Sequence, residues 1–118
     1  MALPTLKKDL RPAEMKALRV QAQAASELLK ALSHETRLLI MCLLNEREMS
    51  VTEIEVAMDL AQATVSQQLA RLRFDGLVET RREGRSIYYR IANKEAEAIV
   101  ESLYGMFCKS VRPPNATK

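Results

Sequence analysis

The sequence contains few of the residues from which metal centres, disulfide frameworks and catalytic sites are built. Among its 118 residues there are two cysteines, one histidine and no tryptophan. It has neither a Cys-x-x-Cys pair nor a cluster of cysteines and histidines, which excludes a zinc finger and a disulfide scaffold. A single histidine also leaves few groups for acid–base catalysis. We therefore expect no enzymatic activity, no metal centre and no cofactor.

Long apolar runs are also absent. The longest, from Leu38 to Leu44, lies between Arg37 and Asn45 and is far shorter than the ~18–20 residues that cross a bilayer. Charged residues at positions 7, 8, 9 and 11 interrupt the apolar residues at the start of the chain, so no signal peptide is expected. These observations predict a cytoplasmic protein with no membrane partner.

The hydrophobic periodicity predicts one mainly helical domain over residues 11–110. Residues 1–10 are expected to be frayed and residues 111–118 to form a disordered tail, since Pro113 and Pro114 cannot continue a helix. Apolar residues three and four apart predict helices over 11–32, 34–46, 62–74 and 93–110. Ser33 is the predicted N-cap of the second helix, and Ser50 with Glu53 forms a predicted capping box for a short helix ending near residue 58.

Between residues 76 and 92 the apolar pattern changes from a helical to an alternating period. Gly76 is expected to end the preceding helix in a left-handed conformation, and two β-rich runs, 77–81 and 86–91, flank a turn that contains Gly84. The predicted order is α-α-α-α-β-β-α. A short capped helix, a tight turn, a longer helix and a basic hairpin together predict a winged helix-turn-helix fold.

Positive charge is concentrated in the longer helix and the hairpin. The net charge is only +3, yet residues 62–90 hold six arginines and three carboxylates. Val65, Leu69 and Leu72 share one face of the helix and are expected to pack on the core, which leaves small and polar side chains outside. The alternative interpretation is a polar helix that only covers a core.

The outward side chains and the arginines predict an interface with double-stranded DNA. Polar side chains at the start of a recognition helix contact base edges, and arginines contact phosphates or enter the minor groove. The base-contact candidates are Gln62, Thr64, Ser66, Gln67 and Gln68. The candidates for phosphate or minor-groove contact are Arg71, Arg73, Arg81, Arg82 and Arg85.

Several stretches of the chain resemble ArsR/SmtB-type transcriptional repressors: residues 32–37 (LSHETR), 61–69 (AQATVSQQL), 76–78 (GLV) and 88–91 (YYRI). The resemblance covers about residues 15–110. It implies a homodimer joined through its first and last helices, an imperfect inverted repeat in a promoter as the DNA partner, and an inducer that releases the DNA.

The positions that bind metals in this family hold other residues here. The family's Cys-x-Cys site falls on Ser50 and Thr52, which are not soft ligands, and the last helix has neither histidine nor aspartate. His34 is interpreted as a residue at the start of the second helix. Both family metal sites are therefore expected to be absent.

Cys42 and Cys108 remain as candidates for the response to an inducer. Cys42 lies in the apolar second helix, and Cys108 lies ~140° around the last helix from Leu103, at the edge of its apolar stripe. Both could also be small buried hydrophobic residues.

The positions of the two cysteines resemble those of the BigR/SqrR group of persulfide-responsive repressors and of HlyU-like regulators. The resemblance implies a dithiol switch in which reactive sulfur species bridge Cys42 and Cys108 and release promoter DNA. The alternatives are a soft-metal sensor that uses the same thiols, a constitutive regulator with inert cysteines and, for a different class, a thiol enzyme.

Overall fold

The structure, a computed structural model, describes residues 10–111. It contains five α-helices, a three-stranded sheet and one π-helical turn within that range. The helices are α1 (Pro12–Leu32), α2 (Glu35–Glu46), α3 (Val51–Met58), α4 (Gln62–Phe74) and α5 (Lys94–Leu103), the strands are β1 (Met49–Ser50), β2 (Val78–Glu83) and β3 (Ser86–Ile91), and the π-helical turn spans Tyr104–Cys108. The mainly helical, winged helix-turn-helix fold predicted from the sequence is confirmed. The segments expected to be frayed and disordered lie almost wholly outside the described residues.

The β-hairpin that forms the wing consists of β2 and β3. The two strands pair antiparallel from Val78 opposite Ile91 to Glu83 opposite Ser86. The turn between them is short, and Gly84 adopts the left-handed region with φ of 64°. The predicted hairpin is thus confirmed, with its first strand reaching two residues further than expected.

A third strand, β1, was not predicted from the sequence. Its two residues pair antiparallel with β3, Met49 opposite Tyr89 and Ser50 opposite Tyr88, which gives the strand order β1-β3-β2. Two residues are too few to show an alternating period, so no local pattern marks this strand. Since α3 starts directly after β1, the pairing attaches the helix-turn-helix to the wing.

The core joins α2, α3, α4 and α5. Val65, Leu69 and Leu72 are each 0% exposed, which confirms the predicted buried face of α4. The run from Leu38 to Leu44 is apolar on nearly every side of α2, a pattern that predicts a buried central helix. That prediction is wrong at Leu39, which is 47% exposed, whereas the adjacent Ile40 is fully buried. The hydrophobic run of α2 therefore covers the core on one side and reaches the surface of the chain on the other.

Polar side chains cap α2, α3 and α5 at their N-terminal ends. The predicted capping box of α3 is confirmed: Oγ of Ser50 accepts from the backbone N–H of Glu53 at 3.1 Å, and the backbone N–H of Ser50 donates to Glu53 at 2.8 Å. The N-cap predicted for α2 is wrong by one residue, because Nδ1 of His34, not Ser33, accepts from the N–H of Thr36 at 3.2 Å. His34 is thus a residue of the helix start, as expected.

The chain divides into two compact units, residues 1–30 and residues 31–118. The described part of the first unit is nearly all of α1, and the second unit contains the helix-turn-helix, the wing and α5. Of the helices in residues 10–111, none combines the length and the apolar character needed to cross a membrane.

Candidate nucleic-acid interface and thiol pair

The residues predicted to contact bases lie along the first turns of α4. Gln62 and Gln67 are exposed, while Thr64, Ser66 and Gln68 are half-buried beside the core residues of the helix. Ala61 occupies the N-cap, and no side chain in the described part of the chain caps this end. The first N–H groups of α4 therefore remain available to an acceptor outside the protein.

Gln68 has a protein partner that the sequence did not reveal. Its Oε1 accepts a hydrogen bond from Nη1 of Arg37 at 3.0 Å, and Nε of the same guanidinium donates to the backbone oxygen of Ala31 at 2.7 Å. Arg37 is only 9% exposed. One signal in the sequence points to this contact, an arginine next to the apolar run of α2. A charged side chain at the edge of a buried segment requires a polar partner, because burial of an unpaired charge is costly.

The five arginines predicted to contact DNA fall into two groups. Arg71 is bound to Asp75 at 3.0 Å on α4, and Arg81 is bound to Glu48 at 2.7 Å and Glu83 at 2.8 Å. The other three form no ion pair within residues 10–111: Arg73, Arg82 and Arg85. All five are exposed, so the second group is the more available to an external anion.

Glu48, just after α2, connects both strands of the wing. It accepts from Arg81 on β2 and lies 3.5 Å from Nη1 of Arg90 on β3, which also donates to Glu79 at 2.6 Å. The guanidinium of Arg81 stacks 4.8 Å from the ring centroid of Tyr88. Hydrogen bonds to Glu83 and Glu48 raise the pKa of Arg81. No local pattern marks this cluster, because Glu48 lies more than thirty residues before the wing residues that it contacts.

A small pocket lies between the start of α3 and the tip of the wing. Its volume is about 210 Å³, below the ~300–1,000 Å³ of ordinary small-molecule sites. It is lined by Ser50, Val51, Thr52, Arg85, Ser86 and Ile87. Arg85, the one charged side chain of this lining, thus stands beside the first turn of α3.

Cys42 and Cys108 are free, half-buried thiols that lie within electrostatic reach of each other. Burial raises the pKa of the Cys42 thiol, and the negative charge of an ionised Cys108 raises it further. Cys42 lies on α2, which packs on α5, and the π-helical turn that carries Cys108 continues directly from α5. Nδ2 of Asn45 on α2 donates to Glu101 on α5 at 2.7 Å. The structure therefore brings together the two thiols that the sequence singled out.

The π-helical turn at the end of α5 changes the direction of Cys108. The backbone N–H of Lys109 donates to the oxygen of Tyr104 at 3.0 Å, a bond that spans five residues instead of four. A turn that takes up roughly one extra residue rotates Cys108 back toward the face that Leu103 occupies. The angle of ~140° expected for a regular α-helix is therefore wrong for this segment.

No group of three or more histidine, cysteine or acidic side chains is arranged to hold a metal ion in residues 10–111. The family's metal-site positions at Ser50 and Thr52 lie at the start of α3, where Ser50 belongs to the capping box. Within residues 10–111 the two thiols are thus not part of a group completed by a histidine or a carboxylate.

The helical core, the exposed polar face of α4 and the arginine-bearing wing define a winged helix-turn-helix DNA-binding protein. Residues 34–80 match the arsR family of bacterial regulatory proteins. The chain is 42% identical to the biofilm growth-associated repressor of Agrobacterium fabrum over 100 residues, which span 85% of this chain and 86% of the relative. The chain belongs to the arsR family and is a transcriptional regulator.

Two solved structures resemble this fold closely. Reduced HlyU from Vibrio cholerae is 38% identical, with a TM-score of 0.77 over 80% of this chain and 99% of that one. The transcriptional repressor BigR from Xylella fastidiosa is 40% identical, with a TM-score of 0.77 over 84% of this chain and 98% of that one. The resemblance to the BigR and HlyU regulators expected from the sequence is therefore confirmed.

Proposed function

We propose that this regulator is a homodimeric repressor that releases promoter DNA when reactive sulfur species bridge Cys42 and Cys108. The observation that carries the proposal is the pair of free, half-buried thiols, which lie close enough that the charge of an ionised Cys108 raises the pKa of Cys42. The chain has no catalytic role in this proposal. Since its partner is the chromosome, we place the protein in the cytoplasm.

The DNA contact follows from the exposed side of α4 and from the wing. α4 enters the major groove of an imperfect inverted repeat, and its first turns contact base edges. The residues proposed for this role are Gln62, Thr64, Ser66, Gln67 and Gln68. Arg73, Arg82 and Arg85 neutralise phosphates or enter the minor groove, whereas Arg71 and Arg81 contribute less because carboxylates already hold them.

Exposed apolar side chains support the homodimer. On α1, Val20 is 59% exposed and Leu29 is 54% exposed; after α5, Phe107 is 72% exposed. These are the two segments that the family resemblance assigns to the dimer interface. A single chain leaves them in water, and a second copy would cover them.

The switch needs a thiolate, an oxidant and a resolving thiol. Because its raised pKa lowers the thiolate fraction of Cys42, we assign the first attack to Cys108. Its thiolate takes the outer sulfur of a small persulfide, R–S–SH, and expels R–S⁻. Cys42 then attacks Sγ of Cys108 and expels HS⁻, so two thiols lose two electrons and the persulfide ends as R–SH and H₂S. A second persulfide molecule can add one more sulfur atom to the bridge.

The related proteins support a regulator of transcription that has a reduced form. One related structure is of a reduced HlyU, and two related proteins are a repressor and an activator. We choose repression because the repressor relative, from Agrobacterium fabrum, has the higher identity of the two.

DNA binding by the reduced and the persulfide-treated chain tests the proposal. A labelled duplex that carries the inverted repeat of a target promoter is titrated with the wild-type protein, Cys42→Ser and Cys108→Ser. All three should bind when reduced, and only the wild type should lose affinity after treatment with a persulfide donor. If either single variant responds as the wild type does, the two-thiol switch is wrong.

Mass spectrometry of the same samples separates the alternatives. A mass that corresponds to a bridged chain, with or without extra sulfur, supports the switch. A stoichiometric metal peak would instead indicate a soft-metal sensor, and an unchanged mass would indicate inert cysteines. Turnover of the persulfide in excess of the protein would indicate a thiol enzyme.

A further inference from the structure

We infer that Arg37 is a positioning residue that holds Gln68 as a hydrogen-bond donor toward an acceptor on DNA. The inference rests on the proposed contact between α4 and DNA. It starts from a buried guanidinium that donates two hydrogen bonds, from Nε to the backbone oxygen of Ala31 at 2.7 Å and from Nη1 to Oε1 of Gln68 at 3.0 Å. From its position on α2, Arg37 thus contacts the last turn of α1 through Ala31 and the DNA-facing helix α4 through Gln68.

The chemistry of the two side chains fixes the orientation of the Gln68 amide. A guanidinium only donates hydrogen bonds, so the atom that faces Arg37 has to be the amide oxygen and not the amide nitrogen. The amide oxygen of Gln68 faces Arg37, which is 9% exposed, so the Nε2 hydrogens of the amide point away from Arg37. Gln68 therefore offers a donor at the surface of α4.

This orientation limits what Gln68 can recognise. Glutamine selects adenine over the other bases only when one donor and one acceptor contact it together, whereas a donor alone is accepted by N7 of either purine, guanine O6, thymine O4 or a phosphate oxygen. The shared chemistry is a hydrogen-bond acceptor on the DNA. Gln67, the exposed neighbour, has no such restraint and keeps both ends of its amide for adenine.

The charge of Arg37 makes the restraint firm. No carboxylate pairs with Arg37 in the described part of the chain, so its cation is stabilised by oxygens of Ala31 and Gln68. Hydrogen bonds from an ionised donor are about twice as strong as neutral ones. The buried cation also adds positive potential below the DNA-facing helix.

Selection from a randomised duplex library with the reduced, full-length protein tests the inference. Gln68→Glu keeps the contact with Arg37 as an ion pair but replaces the donor with an acceptor, and its thermal stability should match or exceed that of the wild type. For a base contact, one position in each half-site should change from guanine or thymine to cytosine, whose N4 amino group donates. For a phosphate contact, affinity should fall about tenfold for all sequences alike.

Two further variants complete the test. Gln67→Glu adds the same negative charge one residue away, and it should alter a different position, one that the wild type selects as adenine. Arg37→Met should release the Gln68 amide, so that adenine becomes the preferred base at the position that Gln68→Glu changes, because the amide can then form both hydrogen bonds to it.

The inference is overturned if Gln68→Glu and a folded Arg37→Met both keep the sequence selectivity and the affinity of the wild type. It is also overturned if the wild type prefers adenine at the position that Gln68→Glu changes. Should Arg37→Met fail to fold, Gln68→Glu still decides. If the reduced wild type selects no sequence at all, the proposed DNA contact fails first, and the inference fails with it.

Discussion

A bridge between Cys42 and Cys108 should stabilise the fold by less free energy than the chain-entropy account gives for a loop of that length. The two residues enclose about 66 residues of chain, which in the chain-entropy account corresponds to about 4 kcal/mol if the folded state accepts the bridge without distortion. A switch requires distortion, because a bridge that fits the DNA-binding conformation would not change DNA affinity. We therefore expect a gain of about 1–3 kcal/mol, the remainder being strain in the bridged fold.

Guanidinium unfolding of the reduced and the bridged protein, at one fixed protein concentration, measures this gain. The matched control carries both Cys42→Ser and Cys108→Ser, and its unfolding curve should be the same before and after persulfide treatment. A gain of the full 4 kcal/mol together with unchanged DNA affinity would refute the reasoning, since the reduced geometry would then already accommodate the bridge.

Three further predictions follow from the described contacts. Glu53→Gln should be less stable than the wild type at neutral pH. The hydrogen bond from the backbone N–H of Ser50 is the main cause that lowers the pKa of Glu53 below 4.5, so the Glu53 carboxylate stabilises the fold fully above that pH. The difference in unfolding free energy between variant and wild type should therefore shrink as the pH falls below 4.5. Leu69→Ala truncates a side chain that is 0% exposed, and the free energy of unfolding measured with denaturant should fall by about 2–5 kcal/mol. A fall of less than about 1 kcal/mol would contradict the packing described. Arg85→Ala should lower the slope of log affinity against log salt by about 1 in DNA titrations, whereas Arg81→Ala, already paired with two carboxylates, should lower it less; equal effects would contradict the two groups of arginines.

The parts of the fold that local patterns encode were predictable from the sequence. The α4 helix begins and ends as expected, because Val65, Leu69 and Leu72 repeat with helical spacing and Gly76 adopts the left-handed conformation after it, with φ of 77°. The capping box at Ser50 was equally visible, since all of its members lie within four residues. Such features require no knowledge of distant partners.

The features that distant contacts create were not predictable. β1 exists only because Met49 meets Tyr89, forty positions further along the chain. The contact between Arg37 and Gln68 depends on how α2 packs on α4 and on the orientation of two long side chains. The π-helical turn that directs Cys108 had one weak local signal, Gly105, which lowers the stability of a regular helix. The thiol pair could be proposed from the family resemblance, but its proximity needed the tertiary structure.

Helix α2 gives the proposed switch a physical route to the DNA-facing elements. It carries Cys42 in its middle and Arg37 near its start, and Glu48 follows just after its end. Arg37 contacts α4, and Glu48 contacts both strands of the wing, so each DNA-facing element has a direct polar contact with α2 or the residues after it. A bridge to Cys108 acts on that same helix. Because the packed core does not deform continuously, we propose that a bridge which displaces α2 changes these contacts, and with them the positions of α4 and the wing.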